Sequence, residues 1–188
     1  NQVMTLVVSS DGSERYLKEG AADLENALLS LPSVTLVSML GARDYEISIE
    51  VSESALRQYG MTIDVVANAI RASSVNIGAG EIKTDSGDLL LRTDTKRQTG
   101  EEFEDIVIRS GADGSLLRLS DVADVYDGFA DTNLRNEFEN RPSILLRVNA
   151  APSEDLLQIA NDIKSFLGDY KPLPGINVNI WSDESQIL

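Results

Sequence analysis

The amino-acid sequence carries the same strand–helix–strand pattern at each of its ends. The first copy spans Val3–Leu40 and the second spans Ser143–Ser182, with about a hundred unrelated residues between them. In both copies a Ser-Glu dipeptide precedes the helix and a Leu-Pro dipeptide follows it, at 13–14 and 31–32 and again at 153–154 and 173–174. One such unit cannot bury the apolar side of its own strands, whereas two units can share a sheet. The two ends are therefore predicted to form one domain, which the intervening residues interrupt.

Periodicity assigns this domain to the α+β class. Apolar residues recur at helical spacing after Ser13, the predicted N-cap of the first helix, and after Ser153, the predicted N-cap of the second. Right-handed crossovers place both helices on the same side of four antiparallel strands, which is the ferredoxin-like split βαβ sandwich. We expect residues 1–41 and 139–188 to form this sandwich, and residues 42–138 to form an inserted α+β domain.

The side of the sheet opposite the helices is expected to be half apolar. Alternation in the third strand points Leu145, Arg147 and Asn149 to that side, and in the fourth strand it points Trp181 there. Ile180 is predicted to face the core. A half-apolar open face either packs on a partner domain or contacts solvent, and the pattern leaves both alternatives open.

Composition excludes several function classes. The formal net charge is −15, from 31 acidic and 16 basic side chains, which argues against nucleic-acid binding. Histidine and cysteine are absent, so Cys/His zinc sites, thiol redox chemistry, Ser-His-Asp triads and disulfides are excluded. No cofactor, metal or catalytic site is predicted, and we expect a protein that is not an enzyme. Apolar runs are far shorter than the ~18 residues of a membrane-spanning helix.

The insertion contains a predicted hairpin over residues 76–93. Its second arm carries three consecutive leucines, of which strand alternation can bury Leu89 and Leu91 but leaves Leu90 on the opposite side. Two explanations remain open at this point. Either both sides of the strand are covered within its own domain, or the hairpin packs into another subunit.

Several spaced segments together resemble the resistance–nodulation–division efflux transporters, in their hydrophobe/amphiphile (multidrug) branch. These segments are residues 41–52, 55–62, 65–70, 89–93, 100–108, 118–123 and 140–143. The resemblance implies that the chain is part of a periplasmic loop of an inner-membrane protein, with membrane helices on either side. The two βαβ copies then correspond to a porter subdomain, and the insertion corresponds to part of the trimeric docking domain.

The resemblance also implies positions for functional residues. The expected wall of the substrate pocket consists of Val3, Ser38, Leu40, Leu134, Arg147, Asn149, Trp181 and Ser182. The expected subunit-docking hairpin uses Ile82, Asp85, Gly87, Leu89, Leu90 and Leu91. Most positions that are aromatic in the well-known family members are not aromatic here, and Trp181, beside Ser182, is the candidate substitute.

The expected partners follow from the same resemblance. They are two further copies of the pump protomer, a periplasmic adaptor, an outer-membrane channel and amphiphilic small molecules. A different class of function, a free-standing ferredoxin-like module that binds a small ligand, is the alternative. Since an independent gene supplies a start Met or a signal peptide and the chain begins at Asn1, flanking sequence discriminates between the two.

Overall fold

The computed structural model describes residues 1–75, 82–85, 88–93, 100–132 and 134–186. Its strands are β1 (Gln2–Ser10), β2 (Leu36–Leu40), β3 (Tyr45–Val51), β4 (Ile82–Asp85), β5 (Asp88–Thr93), β6 (Val107–Ser110), β7 (Leu116–Arg118), β8 (Ala123–Phe129), β9 (Asn136–Phe138), β10 (Arg141–Asn149) and β11 (Ile176–Asp183). Its helices are α1 (Glu14–Leu29), α2 (Glu53–Tyr59), α3 (Ile63–Val75), α4 (Gly100–Glu104) and α5 (Leu156–Asp169). The mixed α+β class is confirmed.

The chain divides into two compact units. Unit 1 contains Asn1–Ala42 and Asn133–Leu188, and unit 2 contains Arg43–Thr132. Strand β9 thus belongs to unit 1. It does so because Asn136–Phe138 pairs with Arg141–Ser143, the start of β10.

Unit 1 is a sheet covered by helices α1 and α5. The strand order is β11-β1-β10-β2, with β9 pairing onto the start of β10, and all of these pairings are antiparallel. Both strand–helix–strand copies thus contribute to one sheet, with one strand from each copy at its centre. Every residue from Val3 to Ser10 is buried, which explains the nearly continuous apolar run of β1.

Helix α1 begins at its predicted N-cap and buries its predicted apolar stripe. The Ser13 hydroxyl accepts a hydrogen bond from the backbone N–H of Tyr16 at 3.2 Å, as the predicted N-cap should. The buried apolar residues recur every three or four positions: Leu17, Ala21, Leu24 and Leu28. They pack with apolar residues from all four main strands in a single core.

The predicted cap of the second helix was wrong by two residues. Asp155, not Ser153, is the N-cap of α5, since its carboxylate accepts hydrogen bonds from the N–H groups of Leu157 and Gln158. Residues 151–154 form a turn in which the Glu154 carboxylate accepts from the Ala151 N–H at 2.7 Å. An ionised carboxylate at an N-cap also interacts favourably with the helix dipole.

Unit 2 has its own sheet and its own core. The strand order is β4-β5-β3-β8, and β6 and β7 form a separate hairpin. The buried residues include Ile49 from β3, Ile70 from α3 and Phe103 from α4. Helix α2 ends at Gly60, whose φ of 60° is the left-handed C-cap conformation that glycine adopts without strain.

Candidate functional site

The candidate site is the face of the unit 1 sheet that lies opposite the two helices, which we call the open face. In β10 the alternation is plain, because Ile144, Leu146 and Val148 lie in the helix-covered core. The intervening residues, Leu145 and Arg147, are only half-buried. The open face is thus the side of the sheet that carries the odd-numbered residues of β10.

The strand register aligns four polar residues across the open face. Arg147 of β10 pairs with Ser38 of β2 on one side and with Thr5 of β1 on the other. Thr5 in turn pairs with Ser182 of β11. These four residues, Ser38, Arg147, Thr5 and Ser182, are called the polar row. The Gln2 side chain supports it by donating hydrogen bonds to the Thr5 hydroxyl at 3.3 Å and the Ser182 hydroxyl at 3.4 Å.

A more apolar row lies beside the polar row. Leu145 of β10 pairs with Leu40 of β2 and with Val7 of β1. Thr5 and Val7 are buried, so the accessible members of the two rows are those on the other strands. Two residues along a strand rise by ~7 Å, so an extended small molecule spans the spacing between the two rows on β2 and β10. Asn149 pairs with Leu36, which is 53% exposed, on the other side of the polar row.

An aromatic pair adds a third element. The rings of Phe138 and Trp181 meet edge to face, with centroids 5.8 Å apart and an interplanar angle of 78°. Trp181 lies at an irregularity in β11, because Thr5 pairs with Ser182 while Leu6 pairs with Ile180. Such an extra residue re-aims a side chain, and Trp181 remains 63% exposed.

Strand β9, which supplies Phe138, was not anticipated from the sequence. It turns into β10 through Glu139 and Asn140, whose φ angles are 51° and 61°. Positive φ at both central residues is typical of the tight two-residue hairpin. The signal that could have revealed it is the Glu139-Asn140 pair directly after an alternating segment, since asparagine tolerates this conformation well.

Arg147 has an unusual environment. Its Nε is buried and has no hydrogen-bond partner in the structure. Among the described residues no carboxylate forms an ion pair with it, whereas Arg57, Arg118 and Arg141 each have an acidic partner within 4 Å. A buried donor without a partner is costly, so Arg147 is a candidate for contacting a group from outside the chain.

The predicted pocket residues fall into two groups. Ser38, Leu40, Arg147, Asn149 and Ser182 lie on adjacent strands with the register given above, and Trp181 is close to Ser182 in the chain. Leu134 precedes β9 and is 48% exposed. Val3 differs, because it is 0% exposed and packs in the core of unit 1. It cannot contact a ligand on the open face, and we remove it from the candidate wall.

The exposure of Ile180 contradicts the prediction made from alternation. It was predicted to be a core residue, but it is 44% exposed, whereas Ile176 at the start of the same strand is buried. Strand β11 lies at the edge of the sheet order, so its far side lacks a neighbouring strand. Periodicity identified the side of the sheet but not how far the helices extend over it.

The predicted docking hairpin belongs to the sheet of unit 2. Ile82 pairs with Leu91, and Asp85 pairs with Asp88. The second arm, β5, also pairs with β3, so it is an interior strand. Leu89 is 1% exposed and contributes to the core of unit 2, which removes it from the surface that could contact another subunit. Leu90 pairs with Ser48, and Gly87 lies outside the described residues.

Two grooves on unit 1 lie apart from the predicted pocket residues. One has a volume of about 620 Å³ and is lined by residues of α5 and of the loop after α1, including Leu31, Phe166 and Tyr170. The other, of about 430 Å³, lies between the end of α5 and β11. Beside the first groove, the Tyr170 hydroxyl donates a 2.7 Å hydrogen bond to Asp23, and burial together with this carboxylate raises the pKa of Tyr170.

The described part of the chain contains neither a membrane-spanning helix nor a cluster of acidic metal ligands. Within residues 1–75, 82–85, 88–93, 100–132 and 134–186, no helix has the length and apolar character needed to cross a bilayer. Over the same ranges, no three acidic side chains converge in a way that could hold a metal ion.

Comparison with known proteins gives consistent matches over the whole chain. A family model described as the AcrB/AcrD/AcrF family matches residues 1–188. The multidrug resistance protein MdtC of Yersinia enterocolitica is 24% identical over 188 residues. The proteins of the same name from Enterobacter sp. and Serratia proteamaculans are 27% and 26% identical over 190 residues. Each alignment covers 99% of this chain, which spans about 18% of the length of these relatives.

Proposed function

Because the chain belongs to the AcrB/AcrD/AcrF family of resistance–nodulation–division transporters, we propose that it forms a periplasmic part of a proton-driven efflux pump. Its role is to bind and guide substrates rather than to catalyse a reaction. The observation that carries the proposal is the family match over residues 1–188, which includes both units. The absence of histidine and cysteine is compatible with a role that needs no metal, thiol or triad.

We assign unit 1 to a ferredoxin-like porter subdomain. The strand order β11-β1-β10-β2 interleaves the two strand–helix–strand copies, and helices α1 and α5 share one core with the sheet. This interleaving supports the split βαβ arrangement that the internal repeat predicted. In this assignment the open face forms one wall of the substrate pocket.

The chemistry of the open face supports such a wall. Leu36 and Trp181 are largely exposed, and so is Leu134 next to β9. Exposed apolar groups close to a few polar groups are the ordinary composition of sites for amphiphilic small molecules. The sequence indicated Trp181 as the aromatic residue of this wall. Its ring pairs with the ring of Phe138, which adds to the aromatic contact area.

We assign unit 2 to the docking subdomain of the pump. Its partners are two further protomers in a trimer, a periplasmic adaptor and an outer-membrane channel. Since Leu89 is committed to the core of unit 2, contacts with a neighbouring protomer come from other residues of the hairpin. The cellular location of this part is the periplasmic side of the inner membrane, and the family match does not favour the free-standing module.

Paired leucine-to-alanine substitutions test the wall. In the full-length transporter, the double variant Leu40→Ala/Leu134→Ala should reduce export of bulky amphiphiles, because both side chains supply apolar contact area. Leu157→Ala is the matched control, since Leu157 is 52% exposed on helix α5, which packs on the other face of the sheet. Resistance is measured across a panel of compounds in cells that lack other pumps. An unchanged profile for the double variant rejects the wall assignment.

The flanking sequence tests the assignment to a pump independently. If the chain is a loop between two membrane helices, we expect an apolar segment of about 20 residues on each side of residues 1–188. Reading the codons that flank the chain in its gene gives the answer directly. Stop and start codons at its ends would favour the free-standing module instead.

A further inference from the structure

We propose that the open face prefers amphiphiles with an acidic head group, and that Arg147 is the residue that recognises this group. The inference rests on the proposed role of the open face as a substrate wall and names the class of substrate. Three observations carry it: an arginine without a partner among the described residues, neighbouring strand positions without acidic residues, and apolar side chains at the distance an amphiphile needs.

The first observation is the state of Arg147 itself. It is half-buried, its Nε has no hydrogen-bond partner, and no ion pair forms with it among the described residues. Arg141, on the same strand, lies 3.4 Å from Asp11 and so is already paired. In a chain with 31 acidic and 16 basic side chains, carboxylates are abundant, yet none within the described ranges forms an ion pair with Arg147.

The second observation is the charge of the surrounding surface. The residues that pair with Arg147 are Ser38 and Thr5, and the adjoining positions carry leucine, valine and asparagine. Asp183, at the end of β11, pairs with Met4, which faces the helix-covered core, and its carboxylate contacts Lys164 of helix α5. None of the described strand residues that alternation places on the open face is therefore acidic. The net charge of −15 repels anions from the chain as a whole, whereas an arginine with no acidic residue at the neighbouring strand positions favours an anion locally.

The third observation is the match to an amphiphile. The planar guanidinium presents parallel N–H donors that fit a carboxylate, sulfonate or sulfate, and the Ser38 hydroxyl lies on the neighbouring strand. Leu40 and Leu145 occupy the adjacent row at a spacing of ~7 Å, where an alkyl or ring body attached to the acid can rest. A ligand of this kind pairs with the accessible part of a guanidinium that has no ion-pair partner among the described residues, and it covers half-buried apolar side chains at the same time.

Three detergents with the same tail test the inference in the full-length transporter. They are dodecyl sulfate, dodecyl maltoside and dodecyltrimethylammonium, which are anionic, neutral and cationic. Arg147→Gln should weaken export of dodecyl sulfate by about tenfold, which is the scale of a lost hydrogen bond to a charged group, and leave dodecyl maltoside nearly unchanged. Arg147→Lys should retain much of the export of the anion, and Arg147→Glu should shift the preference toward the cation.

Two controls keep the result interpretable. Arg57→Gln removes the same charge from unit 2, where the Arg57 side chain is 78% exposed, and should leave all three detergents unaffected. The second control is a competition experiment in the wild-type pump, which does not depend on the folding of any variant. Dodecyl sulfate should inhibit export of a fluorescent neutral amphiphile at a lower concentration than dodecyltrimethylammonium does.

The outcomes separate the inference from the function on which it rests. If the wild-type pump exports all three detergents and Arg147→Gln lowers them equally, or lowers none, the inference is overturned and the pump function stands. Equal potency of the anionic and cationic competitors overturns it as well. If the wild-type chain in its full transporter protects cells against no amphiphile, both proposals fail together.

Discussion

The ion pair between Lys164 and Asp183 should be a major local support of unit 1. It joins the outer part of helix α5 to the end of β11, with Lys164 Nζ lying 2.5 Å from Asp183 Oδ2. The Asp183 carboxylate also accepts a hydrogen bond from the backbone N–H of Ser185 at 3.1 Å. The perturbation is Lys164→Met, which keeps the length and apolar stem of the side chain but removes the charge.

The magnitude follows from the burial of the two partners. The Asp183 side chain is 8% exposed and the Lys164 side chain is 37% exposed, so the pair lies between a surface pair and a buried one. Surface pairs contribute about 0–1 kcal/mol, and breaking a buried pair costs about 3–5 kcal/mol. We expect Lys164→Met to lower the free energy of unfolding of unit 1 by about 2 kcal/mol, because it removes a cation in contact with a buried carboxylate.

The assay exploits the single tryptophan of the chain. Trp181 belongs to unit 1 and lies two residues before Asp183, so its fluorescence in urea reports the unfolding of unit 1 even if unit 2 unfolds separately. A double-mutant cycle with Asp183→Asn isolates the pairwise interaction. Arg141→Met is the control, since Arg141 and Asp11 are 42% and 75% exposed and lie 3.4 Å apart.

The cycle should give a coupling free energy above about 1 kcal/mol, whereas the Arg141 control should cost less than about 0.5 kcal/mol. A coupling near zero, with Lys164→Met as mild as the control, would refute the reasoning. In that case solvent screening at the exposed Lys164 end dominates over the burial of Asp183.

Two further predictions concern the helices of unit 1. Gly168→Ala in α5 should stabilise it by about 0.5 kcal/mol through helix propensity, because the new Cβ meets no atom within 4 Å. Gly20→Ala in α1 should instead lower the urea midpoint, since its Cβ would lie 2.8 Å from Ile176 Cδ1. Tyr170→Phe should cost about 1 kcal/mol at pH 7 by removing the hydrogen bond to Asp23. Because burial and Asp23 raise the pKa of Tyr170 in the folded state, its contribution is complete below the unfolded pKa of about 10 and declines at higher pH. Urea titrations of wild type and Tyr170→Phe at pH 7, 10 and 11 should therefore converge, and a constant difference would contradict this assignment.

Local patterns predicted much of the secondary structure, because caps and periodicity act over a few residues. The Ser13 cap of α1 was predicted correctly. The cap of α5 was misplaced because two N-cap residue types, Ser153 and Asp155, lie two positions apart. Only the turn over 151–154 decides between them, and that turn depends on the side chain of Glu154.

The sequence predicted which side of the sheet carries the candidate site, but it did not predict all of the residues that lie there. Alternation along β10 correctly separated Arg147 from its core neighbours. The family resemblance placed Val3 on the wall and alternation placed Ile180 in the core, whereas the structure shows Val3 buried and Ile180 exposed. Periodicity gives the side of a strand, but burial also depends on which elements cover that side.

The sequence by itself determined the internal repeat, the α+β class and the absence of histidine and cysteine chemistry, since each of these is a property of composition or of short-range spacing. Only the tertiary structure brought Thr5, Ser38, Arg147 and Ser182 into one row and Phe138 onto Trp181. The physical reason is that strand register, an edge irregularity in β11 and the pairing of β9 depend on contacts between residues far apart in the chain. In the part of the chain that the structure describes, the same contacts leave Arg147 without an acidic partner, which no local pattern could reveal.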